Sequence, residues 1–176
     1  MSNTTPGNMP VTEVPNDQIA SVAREFRGTV DYLYARIGEV HCVSPLLMMG
    51  AFGIELFLKS LNSKCVYHQD EVLKALGGYL VTAKPLEFGH LLVDQFDDLN
   101  PILQAELEAA YNKRQVVRGK STIREALAVY NDLFVSARYP FEREGDGGRR
   151  SLTALVKLLD LIADHVDSLK KRVSFN

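Results

Sequence analysis

The chain has 176 residues, 46% of them hydrophobic and 24% charged, and it carries a net charge of −2 at pH 7. This length suits one domain with a substantial hydrophobic core. The near-neutral charge excludes bulk attraction to nucleic acid or to an anionic membrane, so any such binding would need a local basic patch.

The N-terminal region predicts a short lead-in followed by a single helical domain. Residues 1–15 contain three prolines among small polar residues, a composition typical of disorder. They lack a basic region followed by an apolar run, so we expect a cytoplasmic protein without a membrane segment. Asn16 or Asp17 can cap a first helix that runs to about Arg36. We expect the domain to span 16–172, with 173–176 as a tail.

The segment PLLMMGAFGIELFLKSL predicts the central helix, from Ser44 to about Asn62. A helix that is apolar on almost every side belongs in the middle of a protein. Glu55 interrupts the run before it reaches the roughly 18 uncharged residues of a membrane span. The polar groups of the helix fall on one stripe, formed by Ser44, Met48, Ala51, Glu55, Lys59 and Asn62. This stripe should face a seam between helices, where a site is most expected.

The rest of the chain predicts helices separated by glycine and proline breaks. Within 63–88 we expect a short helix at 71–76 and one short extended piece at 79–83. Four longer helices follow, at 89–99, 101–114, 121–139 and 151–171, with Ser121 and Ser151 as caps. The predicted fold is an all-α bundle of five to six helices with at most one short extended segment within 63–88.

Glu55 and Lys59 are the first candidate site residues. They are four positions apart with the acid first, the favourable order for an ion pair within a helix. On an exposed helix such a pair contributes only about 0.3–0.5 kcal/mol. Here the apolar faces around the pair predict partial burial, and half-buried charges usually have further polar partners.

His90, Arg138 and Tyr139 are the other candidates. The start of a helix disfavours imidazolium, so a neutral His90 could both donate and accept a hydrogen bond, or simply hold its own loop in place. Arg138 and Tyr139 close the predicted fifth helix, where the helix dipole alone also favours a cation. We predict that Arg138 and His90 converge on the polar stripe of the central helix.

A basic strip lies around the predicted junction of the fourth and fifth helices, formed by Lys113, Arg114, Arg118, Lys120 and Arg124. Such a strip can contact a phosphate backbone or an acidic partner, although it is more often a solvated loop. The sequence GKST at 119–122 lacks the earlier glycine and the preceding strand of a phosphate-binding loop. Cys42 and Cys65 have no metal-ligand spacing and predict buried thiols. We therefore expect no metal and no cofactor.

Three segments together resemble HEPN domains: ELFLKSL in the central helix, GHLLVDQFDDL opening the third and SARYPFE ending the fifth. They are similar to the ELxLKxL, GHxLxxLF and RYP motifs of one branch of that family, over roughly 20–172. The resemblance implies an HEPN-like bundle, often a homodimer, in toxin–antitoxin, defence or nucleotide-associated systems, frequently beside a nucleotidyltransferase. It also implies a ligand-binding cluster formed by Glu55, Lys59, His90, Arg138 and Tyr139.

The sequence motif of the ribonucleases in that family is missing late in this chain. Many HEPN domains carry Arg, four to six residues and then His late in the bundle, but Arg138 is followed by YPFEREGDG. Arg36 and His41 have the spacing of this motif, but they lie at a position in the chain where the family does not place it. The resemblance therefore predicts a non-catalytic module that binds a nucleotide or RNA, or that pairs with a nucleotidyltransferase.

Two alternatives stay open. The first is a metal-independent ribonuclease in which His90 is the acid or base and Arg138 stabilises the developing charge. The second is a structural bundle in which the same residues form an internal salt-bridge network. A cluster open to a pocket would favour binding, whereas a buried and mutually satisfied cluster would favour the structural role.

Overall fold

The protein folds around one central helix. The computed structural model describes residues 14–39, 42–68, 80–86, 89–133 and 150–173. Over these residues the chain forms six helices and one two-stranded sheet, in the order α1 (Asp17–Tyr34), α2 (Val43–Leu61), β1 (Ser63–His68), β2 (Leu80–Pro85), α3 (Leu92–Asp97), α4 (Pro101–Arg114), α5 (Ile123–Val129) and α6 (Leu152–Val173). The prediction of an all-α bundle of five to six helices is confirmed.

Three of the helices begin at side-chain caps that the sequence indicates. The side chains of Asn16, Asn100 and Ser151 each accept a hydrogen bond from an amide in the first turn of α1, α4 and α6. These amides have no partner within their own helix, so a neighbouring polar side chain settles where the helix starts. The predicted starts of these three helices are confirmed.

The central helix α2 packs against α1, α3 and α6. Two glycines allow α6 to approach it closely. A Cβ atom at Gly50 would lie 2.9 Å from Leu155 Cδ2, and one at Gly53 would lie 3.1 Å from Leu159 Cδ1. These leucines therefore occupy the space that side chains on α2 would otherwise fill. Gly50 and Gly53 precede Glu55 by five and two positions, which at 3.6 residues per turn places them on the face of α2 opposite the polar stripe.

By length and composition alone, α2 could also cross a membrane. However, 56% of its most apolar stretch is buried inside the protein. This degree of burial is what the core helix of a folded domain shows, because its apolar faces are covered by neighbouring helices.

The region after α2 differs from the prediction. The sequence predicts one extended piece at 79–83, but the structure has two strands, β1 and β2, paired antiparallel with Cys65 opposite Ala83. A strand in a two-stranded sheet depends on its partner for backbone hydrogen bonds, so local sequence alone is a weak guide to β1. The predicted helix at 71–76 lies outside the described residues.

The third helix starts later than predicted. It begins at Leu92, so His90 precedes the helix instead of standing at its first position. The cap residue Leu91 offers no side-chain hydrogen bond to the first turn. Instead, Asn131 Oδ1 accepts a hydrogen bond of 2.8 Å from the Val93 amide. The start of α3 is thus supported by a residue that is distant in sequence.

The fifth helix is shorter than predicted. Its cap is Thr122 rather than Ser121, in a capping box with Glu125. The helix ends at Val129, and the chain turns at 130–132 instead of continuing unbroken to 139. The same turn carries Asn131, whose side chain makes the tertiary hydrogen bond to α3. The rest of the predicted helix, from 134 onward, lies outside the described residues.

Candidate functional site

Glu55, Lys59 and His90 meet at the polar stripe of α2 and form what we call the Glu55 cluster. Glu55 Oε1 accepts a hydrogen bond of 2.7 Å from Lys59 Nζ, one helical turn away. His90 Nδ1 lies 3.0 Å from the same oxygen. An ionised carboxylate can only accept, so His90 Nδ1 is the donor in this contact. Residues of the first two HEPN-like segments are therefore in direct contact.

The Glu55 cluster is largely internal. Glu55 is 1% exposed and Lys59 is 8% exposed, whereas the His90 side chain is 51% exposed. The second oxygen, Glu55 Oε2, is also buried and makes no hydrogen bond within the described parts of the chain. The carboxylate and the ammonium therefore stabilise one another inside the core, and only the imidazole reaches solvent.

Gln95 positions the segment that carries His90, a role that sequence patterns did not suggest. Its side chain is buried on α3, and Nε2 donates a hydrogen bond of 3.1 Å to the Gly89 carbonyl. The local sequence does not indicate such a contact for a glutamine in an apolar stripe, because the carbonyl that accepts its hydrogen bond lies before the helix. Arg138 and Tyr139, the remaining predicted members of the cluster, lie outside the described residues.

A second group of polar side chains surrounds a cavity of about 510 Å³ that we call the basic cavity. Its walls come from the loop between α4 and α5, the C-terminal end of α5 and the first turn of α6. Among the described residues, three cations line it: Arg118, Lys120 and Lys157. Two of these belong to the basic strip, and Lys157 joins them from α6.

The arginines of the basic strip have different surroundings. Arg114 pairs with Asp164 at 3.0 Å, and Arg124 forms a forked contact with Asp97, with the closest atoms 2.8 Å apart. By contrast, no ion pair involves Arg118 in the part of the chain that the structure describes. The strip is therefore divided between cations neutralised by aspartates and cations that face the cavity.

Lys120 and Lys157 also have no ion pair among the described residues. Lys120 does interact electrostatically with a nearby acid, Glu125. Hydrogen bonds from the Ser121 amide and hydroxyl lower the pKa of Glu125, and the charge of Lys120 adds a smaller contribution in the same direction. Arg118 and Lys157 are therefore the cations of the basic cavity that are freest to meet an anion.

Two buried tyrosines hold the walls of the basic cavity in place. Tyr111 Oη donates to the carbonyls of Val117 and Lys120, at 3.3 Å and 3.0 Å. Tyr130 Oη donates to the Ser151 carbonyl at 2.9 Å, which ties the end of α5 to the start of α6. Burial raises the pKa of Tyr130 to about 12, so its hydroxyl stays protonated and keeps donating at neutral pH.

The loop itself needs unusual backbone angles. Gln115 ends α4 with a φ of 39°, and Gly119 has a φ of 73° in the turn closed by the Lys120 amide and the Val117 carbonyl. Glycine adopts such angles without a steric penalty. The turn presents Arg118 and Lys120 from either side of Gly119.

Replacing Tyr111 by phenylalanine should lower the free energy of unfolding by about 1 to 2 kcal/mol, since two loop carbonyls lose their shared donor. Urea denaturation would measure the change. Tyr32→Phe is the matched control, because Tyr32 is 59% exposed and its ring contact with Arg36 needs no hydroxyl. Equal effects of the two substitutions would show that the Tyr111 hydroxyl does not stabilise the loop.

No protein-family model, curated protein or solved structure matches this chain. In the segments that the structure describes, no group of three or more His, Cys, Asp or Glu side chains is arranged to hold a metal ion. Function is therefore inferred from the side chains themselves. The Glu55 cluster can stabilise the core, and the basic cavity can bind an anion.

Proposed function

We propose that this chain is a non-catalytic, HEPN-like helical module that binds a nucleotide or RNA through its phosphate groups. The observation that carries the proposal is the basic cavity, where Arg118, Lys120 and Lys157 converge without an ion-pair partner among the described residues. Its volume of about 510 Å³ falls within the range of small-ligand sites in proteins.

Charge supports this choice of ligand. Guanidinium and ammonium groups form their strongest hydrogen bonds with anionic oxygens such as those of phosphate. The chain as a whole carries a net charge of −2, so these cations are a local exception. A local patch of this kind attracts phosphate without making the whole surface basic.

The described lining of the basic cavity also favours binding over turnover. It contains no histidine, aspartate or glutamate, and histidine is the side chain that most often serves as general base or acid. His90, the histidine predicted to act in a ribonuclease, is instead hydrogen bonded to the buried Glu55. The described lining therefore favours holding a phosphate over activating an attacking hydroxyl.

The HEPN-like character rests on the three segments that resemble that family. The contact between Glu55 of ELFLKSL and His90 of GHLLVDQFDDL supports it, because the two segments act together in space. A homodimer, a nucleotidyltransferase partner and a place in a toxin–antitoxin or defence system stay predictions. A mass measured by light scattering at high protein concentration would test the dimer.

The Glu55 cluster favours a second role, which is structural. Its carboxylate and ammonium are buried and bonded to each other, as expected of an internal salt bridge. In this role the cluster holds the segment before α3 against α2, and the ligand binds elsewhere, at the basic cavity.

Titration of the purified protein with a fluorescein-labelled single-stranded RNA tests the proposal. Lys157→Glu should weaken binding by about tenfold or more, because a favourable charge contact becomes a repulsive one. The control is Lys113→Glu, which makes the same charge change at an exposed position outside the cavity and should have little effect. Equal losses in the two variants would show only nonspecific attraction and would contradict the proposal.

The same RNA, recovered and run on a denaturing gel, tests the ribonuclease alternative. An intact RNA is expected. Cleavage that is abolished by His90→Ala would instead make the ribonuclease reading the better one.

A further inference from the structure

The basic cavity has features that select one kind of phosphate, and the following inference rests on the proposed function. We infer that the cavity binds a phosphomonoester, the doubly charged end of a nucleotide or of an RNA strand, in preference to the phosphodiesters inside a strand. The shared chemistry is a terminal phosphate. Its source, a free nucleotide or a phosphorylated RNA end, is separated by the experiment.

The first argument is charge balance. Three cations line the cavity, and the first turn of α6 contributes Ser151, Thr153 and Ala154 to its wall. The start of a 22-residue helix adds roughly half a positive charge. A phosphomonoester carries about −1.5 to −2 near neutral pH, whereas a diester carries only −1. The monoester therefore neutralises more of the positive charge that the site concentrates.

Two acids that the structure describes near this site already have donors of their own. Asp132 lies in the turn after α5, and it pairs with Arg150 at 2.7 Å. Glu125 accepts hydrogen bonds from Ser121, and the charge of Lys120 also acts on it, so the positive charge rests chiefly on Arg118 and Lys157. Neither carboxylate lines the cavity, and each is already engaged with a donor of its own.

The second argument is the ligand's covalent structure. The described lining of the cavity comes from three segments: the loop at 116–120, the end of α5 and the start of α6. A terminal phosphate has a single ester link, so it can enter a cavity end-on. An internal phosphodiester has two such links, so the chain on both sides of it must also be accommodated.

The third argument is the absence of a stacking surface. Tyr130 is the aromatic residue in the described lining, and it is only 1% exposed. Proteins that bind single strands along their length rely on exposed aromatic rings, each of which contributes to the affinity for a stacked base. Since the described lining offers no such ring, recognition by these residues falls mainly on the phosphate.

Calorimetric titration with four adenine ligands tests the inference: adenosine, adenosine 5′-monophosphate, the dinucleotide ApA with a 5′ hydroxyl and the same dinucleotide with a 5′ phosphate. At least one ligand with a terminal phosphate should bind about tenfold or more tightly than 5′-hydroxyl ApA, since it offers an additional charge to the cations. Adenosine should not bind measurably. Tighter binding of the monophosphate would identify a free nucleotide, and tighter binding of the phosphorylated dinucleotide would identify an RNA end.

A pH series gives an independent readout. The second ionisation of a phosphomonoester has a pKa near 6, so lowering the pH from about 7.5 to 5.5 removes charge from the ligand. Lysine and arginine side chains keep their charge over that range. The affinity for the terminal phosphate should therefore fall severalfold, while the affinity for 5′-hydroxyl ApA should change little.

Variants of the cavity cations distinguish a failure of the monoester inference from a failure of the proposed function. Arg118→Glu and Lys157→Glu should each abolish the preference for the terminal phosphate, and Lys113→Glu should retain it. All three sites are exposed, and far-ultraviolet circular dichroism checks that each variant folds. If 5′-hydroxyl ApA binds as tightly as the phosphorylated ligands and Lys157→Glu weakens both, the monoester inference is wrong and the proposed function stands. If none of the four ligands binds, both are wrong.

Discussion

Replacing Glu55 by leucine should lower the free energy of unfolding by about 3 to 5 kcal/mol. The substitution leaves the Lys59 ammonium in an environment where it is only 8% exposed and without its carboxylate partner at 2.7 Å. A buried charge without a partner is far more costly than the intact pair, and shedding its proton or moving towards solvent recovers only part of the loss. Urea denaturation followed by circular dichroism would measure the change.

The double variant Glu55→Leu with Lys59→Met provides the control. Removing both charges together leaves two apolar side chains of similar length, and such exchanges of buried ion pairs are often neutral or stabilising. We therefore expect the double variant to be more stable than Glu55→Leu alone. His90 is half exposed and can exchange its lost contact for water. A loss below about 1 kcal/mol for Glu55→Leu would show that the pair behaves as a surface salt bridge.

Replacing Leu155 by alanine should lower the free energy of unfolding by about 2 to 5 kcal/mol. Leu155 is fully buried on α6 and packs over Gly50 of α2. Glycine has no side chain with which to fill the space that the missing leucine atoms leave. The cavity should therefore stay largely open, which places the expected loss in the upper part of that range. Thermal and urea denaturation would both report it.

A double-mutant cycle with Gly50→Val checks the packing explanation. Valine alone at position 50 should destabilise the protein by about 1 to 3 kcal/mol, because even its Cβ would lie 2.9 Å from Leu155 Cδ2. In the Leu155→Ala background the obstructing atoms are gone, and the valine can fill the space. The double variant should therefore lose less stability than the sum of the two single losses. Simple additivity would mean that the two positions do not share one packing site.

Three helix starts were predictable because they depend on neighbours within a few residues. Asn16, Asn100 and Ser151 bond to amides of the turn that immediately follows each of them. The central position of α2 was predictable for a different reason, since a helix that is apolar on most faces must be covered. Its polar stripe also indicated where Glu55 and Lys59 would find a further partner, and the structure places His90 there.

Other elements depended on contacts between distant residues. β1 is held by β2 across a long separation in the chain, and the first turn of α3 is bonded to Asn131, which follows α5. Neither contact leaves a pattern in the local sequence, because the residues around it could adopt another secondary structure without their distant partner. The start of α3, and with it the position of His90 before the helix, follows from the same distant contact.

The basic strip shows most clearly which features the sequence determines and which features the tertiary structure decides. The sequence by itself determined that Lys113, Arg114, Arg118, Lys120 and Arg124 are close along the chain. Only the tertiary structure decided that Asp164 and Asp97 neutralise two of them, and that Lys157 joins Arg118 and Lys120 around a cavity. Local composition and periodicity determine helices and their buried faces, because those depend on neighbouring residues. The charge that remains free to bind a ligand depends on which distant side chains the packed helices bring together.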